Sequence, residues 1–193
     1  FVDAHTHACW AGDRLDEWDM KRAGASYLDI LNAGGGIMST VRAVRAASEE
    51  QLRDLLYQRA WAMLAAGTCW AEVKSGYGLT AEHEAKMLRA IMDVMHAMSP
   101  SMVLTPTALL GHAIDPDVDG FVDQTIQETL PLLGGNHSPL KKHLRRPSDF
   151  DVDAYCEEGS WSVTDCERLF SASRSEFEGF RVHADQFNSL GMT

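Results

Sequence analysis

Hydrophobic and polar positions along the chain alternate between two periods. Five short runs have strand character and end in polar residues: "FVDAHTH" at 1–7, "TCWAEVKSG" at 68–76, "SMVLTPTALLGHA" at 101–113, "FDVDAYCEEG" at 150–159 and "GFRVHADQF" at 179–187. Between them the period lengthens to that of a helix. Leu52, Leu55, Leu56, Met63 and Leu64 follow Ser48 and Gln51, a capping-box pair, and Gly67 stops that helix. Thr80 caps the next, in which Leu88, Ile91, Met92 and Met95 fall at i, i+3, i+4 and i+7. Ser162 caps a shorter one holding Cys166, Leu169 and Phe170. Helices that repeatedly follow strands predict βα units, a parallel sheet and an α/β fold.

One stretch breaks this rhythm. "GGNHSPLKKHLRRPSD" at 134–149 is polar, punctuated by Pro and Gly, and reads as a solvated loop or an insertion. Its four basic residues do not make a nucleic-acid site in a chain with 28 acidic and 17 basic residues and a net charge of -11. No apolar run has the roughly 20 residues that cross a bilayer. The four cysteines form no C-x-x-C pair, and we read them as reduced thiols of a cytoplasmic protein. A chain of 193 residues is long enough for one domain with a real core.

Candidate chemistry collects at the strand ends. On a strand, residues i and i+2 share a face, so His5 and His7 aim two imidazoles into one pocket. Imidazole suits zinc and iron alike. An isolated H-x-H pair is a weak signal, but the other strand ends carry Lys74, His112, Glu157 with Glu158, and His183. In a parallel βα sheet these ends converge on one rim. That concentration of ligand and acid–base residues points to a metal site rather than to packing. Arg14, just past the first strand, has the fork geometry to clamp a carboxylate; a surface pair with Asp13 or Asp16 is the competing reading. Tyr77 stands between two glycines in "KSGYGL", facing the rim or plugging it. "NAGGGIMST" at 32–40 lacks the ending of a phosphate loop and follows no strand, so it reads as a flexible rim loop.

Taken together, "FVDAHTH", "GDR", "AGASYLDILNAGGGIMSTVRA", "EVKSGYGL", "LLGHA", "CEEGSWS" and "HADQ" resemble imidazolonepropionase, of the amidohydrolase superfamily. They occur in that family's order and cover nearly the whole chain outside 134–149. The resemblance implies a metal-dependent (β/α)8 TIM barrel, a homodimer, and hydrolysis of the cyclic amide 4-imidazolone-5-propanoate to N-formimidoyl-L-glutamate in histidine degradation. It implies His5, His7 and His183 as ligands to one divalent metal, zinc or iron. It also implies Arg14, Tyr77, His112 and Gln186 as contacts to a small-molecule substrate. His112 and Gln186 are then the catalytic candidates, with His112 stabilising the oxyanion. Gln186 stands where some relatives carry Glu; an amide is no general base, so hydrogen bonding is expected there. Some superfamily members bridge two metals with a carboxylated lysine from the fourth strand. Here that strand ends in Glu157 and Glu158, while Lys74 is on the second, so a single metal is expected.

An eight-stranded barrel needs about 250 residues. About five βα units are expected in 1–193, without the family's small β-domain, its closing strands and its later metal-binding Asp. A piece of that kind is expected to be inactive and poorly folded alone, because an open sheet exposes an edge. Two other readings stay open: another amidohydrolase, such as a deaminase or a different cyclic amidase, and a non-catalytic metal-binding half-barrel.

Overall fold

The computed structural model describes residues 1–134, 138–140, 142, 151–177 and 179–192. All five expected strands are present: β1 (Val2–Asp3), β2 (Trp70–Lys74), β3 (Val103–Gly111), β4 (Asp151–Tyr155) and β5 (Phe180–His183). They pair in sequence order, and every pairing is parallel. A flat sheet would hold β1 and β5 about 19 Å apart, four spacings of about 4.8 Å. Here the side chains that follow β1 and end β5 touch, His5 Nε2 lying 2.9 Å from His183 Nε2. The sheet therefore curls into an open half-barrel.

Strand periodicity gives the sheet two chemically different faces. The convex face carries Ala71, Val73, Leu104, Ala108, Leu110, Val152 and Ala154, all buried in the core. Helices cover it. α1 (Leu15–Arg22), α2 (Tyr27–Asn32), α3 (Ile37–Ala46) and α4 (Glu49–Ala65) lie between β1 and β2. α5 (Ala81–Met98) follows β2 and packs Leu88, Ile91 and Met92 into the core. After β3 a helical run begins as α6 (Phe121–Gln124), widens to a π-turn at Thr125–Thr129 and ends as α7 (Leu130–Gly134); α8 (Val163–Ser173) follows β4. The concave face is polar: Glu72, Lys74, Thr107, Asp153, Arg181 and His183 meet there.

The expected caps form. Gln51 N–H donates to Ser48 Oγ at 3.1 Å and Ser48 N–H to Gln51 Oε1 at 2.8 Å. His83 N–H donates to Thr80 Oγ1, and Asp165 N–H to Ser162 Oγ. One expectation changes. The segment at 32–40 is not a flexible loop throughout: from Ile37 it is the first turn of α3, because Ile37, Val41 and Val44 share a face and the last two are fully buried. Most of 134–149 lies outside the described residues. Of its described residues, Leu140 is fully buried.

Candidate metal centre

β1 ends at Asp3, yet the chain continues along β2: Lys74 N–H donates to the Thr6 carbonyl at 3.0 Å, and Thr6 Oγ1 to the Glu72 carbonyl at 2.5 Å. This extended course turns His5 and His7 to one side and Thr6 to the other. α4 secures the next few residues. Arg59 donates to the carbonyls of Ala8 (2.9 Å) and Trp10 (2.7 Å), and its guanidinium lies 3.6 Å from the centre of the Trp10 ring.

The three Nε2 atoms of His5, His7 and His183 lie 3.2 Å (His5–His7), 2.9 Å (His5–His183) and 3.4 Å (His7–His183) apart. A tetrahedral zinc with Zn–N near 2.05 Å would separate its ligand nitrogens by about 3.3 Å. A ring nitrogen has one lone pair or one proton in the ring plane, so three mutual contacts cannot all be hydrogen bonds. One ion at their common focus satisfies all three. Burial, followed by the nearness of His183 and Lys74, holds the pKa of His5 below the usual imidazole value. Burial, then His112, His183 and His5, takes His7 down to about 3. Neutral imidazole is the form that ligates. His183 Nδ1 is 3.2 and 3.1 Å from the two Asp153 carboxylate oxygens. His7 Nδ1, by contrast, is buried without a partner. The donor set fits one divalent ion and leaves positions for further ligands.

His112 and Tyr77 flank this triad. The His112 ring stacks on His7 with centroids 5.0 Å apart, and Tyr77 lies 4.9 Å from His112. His112 Nδ1 is 2.8 Å from the Gly76 carbonyl, which only accepts, so Nδ1 carries the proton and Nε2 presents a lone pair. Gly76 permits this approach: its φ is +107°, and a Cβ there would come 2.9 Å from His112 Nδ1. Burial raises the Tyr77 phenol pKa, with Arg14 close enough to oppose that shift. Arg14 is held by Glu17 through two bonds of 2.8 and 2.5 Å, and Glu17 also accepts the Gly36 N–H. Gln186 is exposed on the loop beyond β5, one residue past Asp185 at φ +57°. Thus the structure brings His5, His7, His183, His112 and Tyr77 together, puts Arg14 within electrostatic reach of Tyr77, and leaves Gln186 on the outer loop.

The chain as a whole has relatives among known proteins. The chain is 38% identical over 197 residues to an imidazolonepropionase of Herpetosiphon aurantiacus, a match covering 100% of the chain and 45% of that relative. It is 40% identical over 195 residues to one of Myxococcus xanthus, covering 99% of the chain and 44% of the relative. One of Chloroflexus aggregans is 38% identical over 194 residues. The chain is imidazolonepropionase-like. It spans a little under half the length of these imidazolonepropionases. No family model matches it.

Sequence reasoning missed two buried acids around this site, Glu84 and Asp153, and placed a third, Glu157, at its strand end without its partners. Glu84 accepts the backbone N–H of Gly76 (2.9 Å), Gly78 (2.7 Å) and Leu79 (2.9 Å), and so shapes the loop that carries Tyr77. Glu157 accepts the Phe187 and Asn188 N–H groups and the Asn188 side-chain amide, and so shapes the loop that carries Gln186. Asp153 meets both Lys74 and His183. For Asp153 the signal was the alternation D-V-D, which sets acids on one face of a strand expected to be buried. Among the described residues no helix is long and apolar enough to cross a membrane. All four cysteines are free.

Proposed function

We propose that this chain carries the metal- and substrate-binding part of a TIM-barrel amidohydrolase acting on 4-imidazolone-5-propanoate, yielding N-formimidoyl-L-glutamate. The observation that supports it most is the triad itself: three Nε2 atoms from the two outer strands, 2.9–3.4 Å apart, beside His112 and Tyr77. His5, His7 and His183 would hold one zinc or iron, which when bound supplies Lewis acidity and lowers the pKa of water.

The remaining steps belong to the chain's own residues. His112 Nε2, held as a lone pair by the Gly76 carbonyl, accepts a hydrogen bond from the ring or from water rather than donating one to an oxyanion. The Tyr77 hydroxyl is protonated at neutral pH and supplies a donor. Arg14 receives the propionate by exchanging one of its two bonds to Glu17. Gln186 orients substrate or water by hydrogen bonding alone, because its amide takes no proton.

Binding of hydantoin-5-propionate, a stable ring analogue bearing the same side chain, tests this reading by calorimetry with zinc present. The analogue should bind, and Arg14→Met should weaken it about 10–100-fold, the worth of a charge-assisted pair. Equal affinity in the variant would favour a different amidohydrolase. Zinc uptake with no analogue binding would favour the non-catalytic metal-binding module.

A further inference from the structure

The chain of buried charges behind the triad ends on a metal ligand. Lys74 and Asp153 are both essentially inaccessible, at 1% and 0% exposure. Lys74 Nζ lies 2.6 Å from Asp153 Oδ2 and 2.7 Å from Glu72 Oε1. Glu72 Oε1 is further tied to Thr107 Oγ1 (2.6 Å) and Arg181 Nε (3.1 Å). Asp153 then reaches His183 Nδ1. A buried ion pair is weak evidence for stability, since its desolvation offsets its attraction. Its position relative to His183 is more informative.

We infer that Asp153 is a positioning residue for the metal site. It accepts the His183 Nδ1 proton and thereby fixes the ring so that the Nε2 lone pair faces His5 and His7, while Lys74 fixes which way Asp153 points. An ionised carboxylate only accepts, so a neutral His183 beside it carries its proton on Nδ1. The ammonium of Lys74 only donates, so it requires an oxygen at Oδ2, while His183 Nδ1, about equally far from both oxygens, makes its hydrogen bond to Oδ1. This inference rests on the metal reading of the triad and adds residues to it.

Asp153→Asn separates positioning from packing. Its amide has one accepting and one donating end. Lys74 takes the oxygen, the NH2 turns to His183, and Nδ1 must become the acceptor. The proton moves to Nε2 and points into the triad. The zinc affinity of the 193-residue chain should fall about 10–100-fold. The His183 ring 15N shifts should invert from the Nδ1–H to the Nε2–H pattern. In Lys74→Met/Asp153→Asn the amide can rotate its oxygen back to His183, so at least tenfold of the loss should return. A merely structural role would make the double variant worse than either single one. The wild-type apo spectrum decides the matter even where a variant does not fold: His183 protonated on Nε2 overturns the inference. So does Asp153→Asn that keeps wild-type zinc affinity within twofold. A wild-type chain that takes up no zinc, with His183 in the Nδ1–H form, overturns the metal reading on which the inference stands.

Discussion

Glu84→Ala removes a carboxylate that three main-chain N–H groups share. Glu84 is 2% exposed. Its Oε1 takes the Gly78 and Leu79 N–H groups and its Oε2 the Gly76 N–H. Alanine leaves three donors unsatisfied, each worth about 1–3 kcal/mol when water cannot reach it. Two effects reduce the sum. Burial pushes the Glu84 pKa up, so the folded protein already opposes this charge, and that opposition disappears with the side chain. The space left beside three N–H groups also suits a water molecule. A net loss of about 3 kcal/mol remains, which for a chain of this size lowers Tm by about 6–12 °C. Thermal unfolding followed by circular dichroism measures it. Because the same N–H groups bracket Tyr77, the ring signals of Tyr77 and His112 should shift while those of α8 stay in place. A Tm within about 1 °C of wild type would refute the claim that Glu84 organises this loop.

Other consequences arise from single contacts. Gly111→Ala places a Cβ 2.7 Å from Ala154 Cβ and 3.2 Å from Trp161 Cδ2, so overpacking should lower stability by about 1–3 kcal/mol in urea unfolding. The Phe187 N–H, with Asn188 and Glu158, holds the Glu157 carboxyl down to about 2. A lowered carboxylate pKa stabilises the fold above the unfolded value near 4.5 and ceases to do so as pH falls toward 2. Urea midpoints measured across that window should therefore fall with pH, and Glu157→Gln should flatten the slope. Zinc that binds only the folded chain adds about 2.7 kcal/mol at a concentration 100 times Kd; Tm should rise with zinc and return with chelator.

The sequence carried the elements whose signals are local. Ser48 with Gln51, Thr80 and Ser162 each sit within a few residues of the groups they cap. His5 and His7 are two apart and point the same way by strand geometry alone. α3 was obscured because Gly34, Gly35 and Gly36 mask a helix whose apolar face begins at once with Ile37. α1 has no apolar period to detect, and its Leu15 and Trp18 are exposed. The partners of the buried acids were illegible for a different reason. Asp153 acquires its meaning from Lys74, 79 residues away, and Glu157 from Asn188, 31 away. The pairing of β4 with β5 and the curl of the sheet bring such pairs together. Arg14 was read as a carboxylate clamp from its place after the first strand; its bond to Glu17 depends on α1, which the pattern did not announce.

Metal content of the purified chain tests the central claim most directly, measured for wild type, His5→Ala and His183→Ala after equilibration with zinc and removal of the excess. A three-histidine site predicts close to one zinc per wild-type chain and loss of it in both variants, since the two ligands come from opposite edges of the sheet. A folded wild-type chain without zinc, or a His183→Ala variant that keeps it, would contradict that claim.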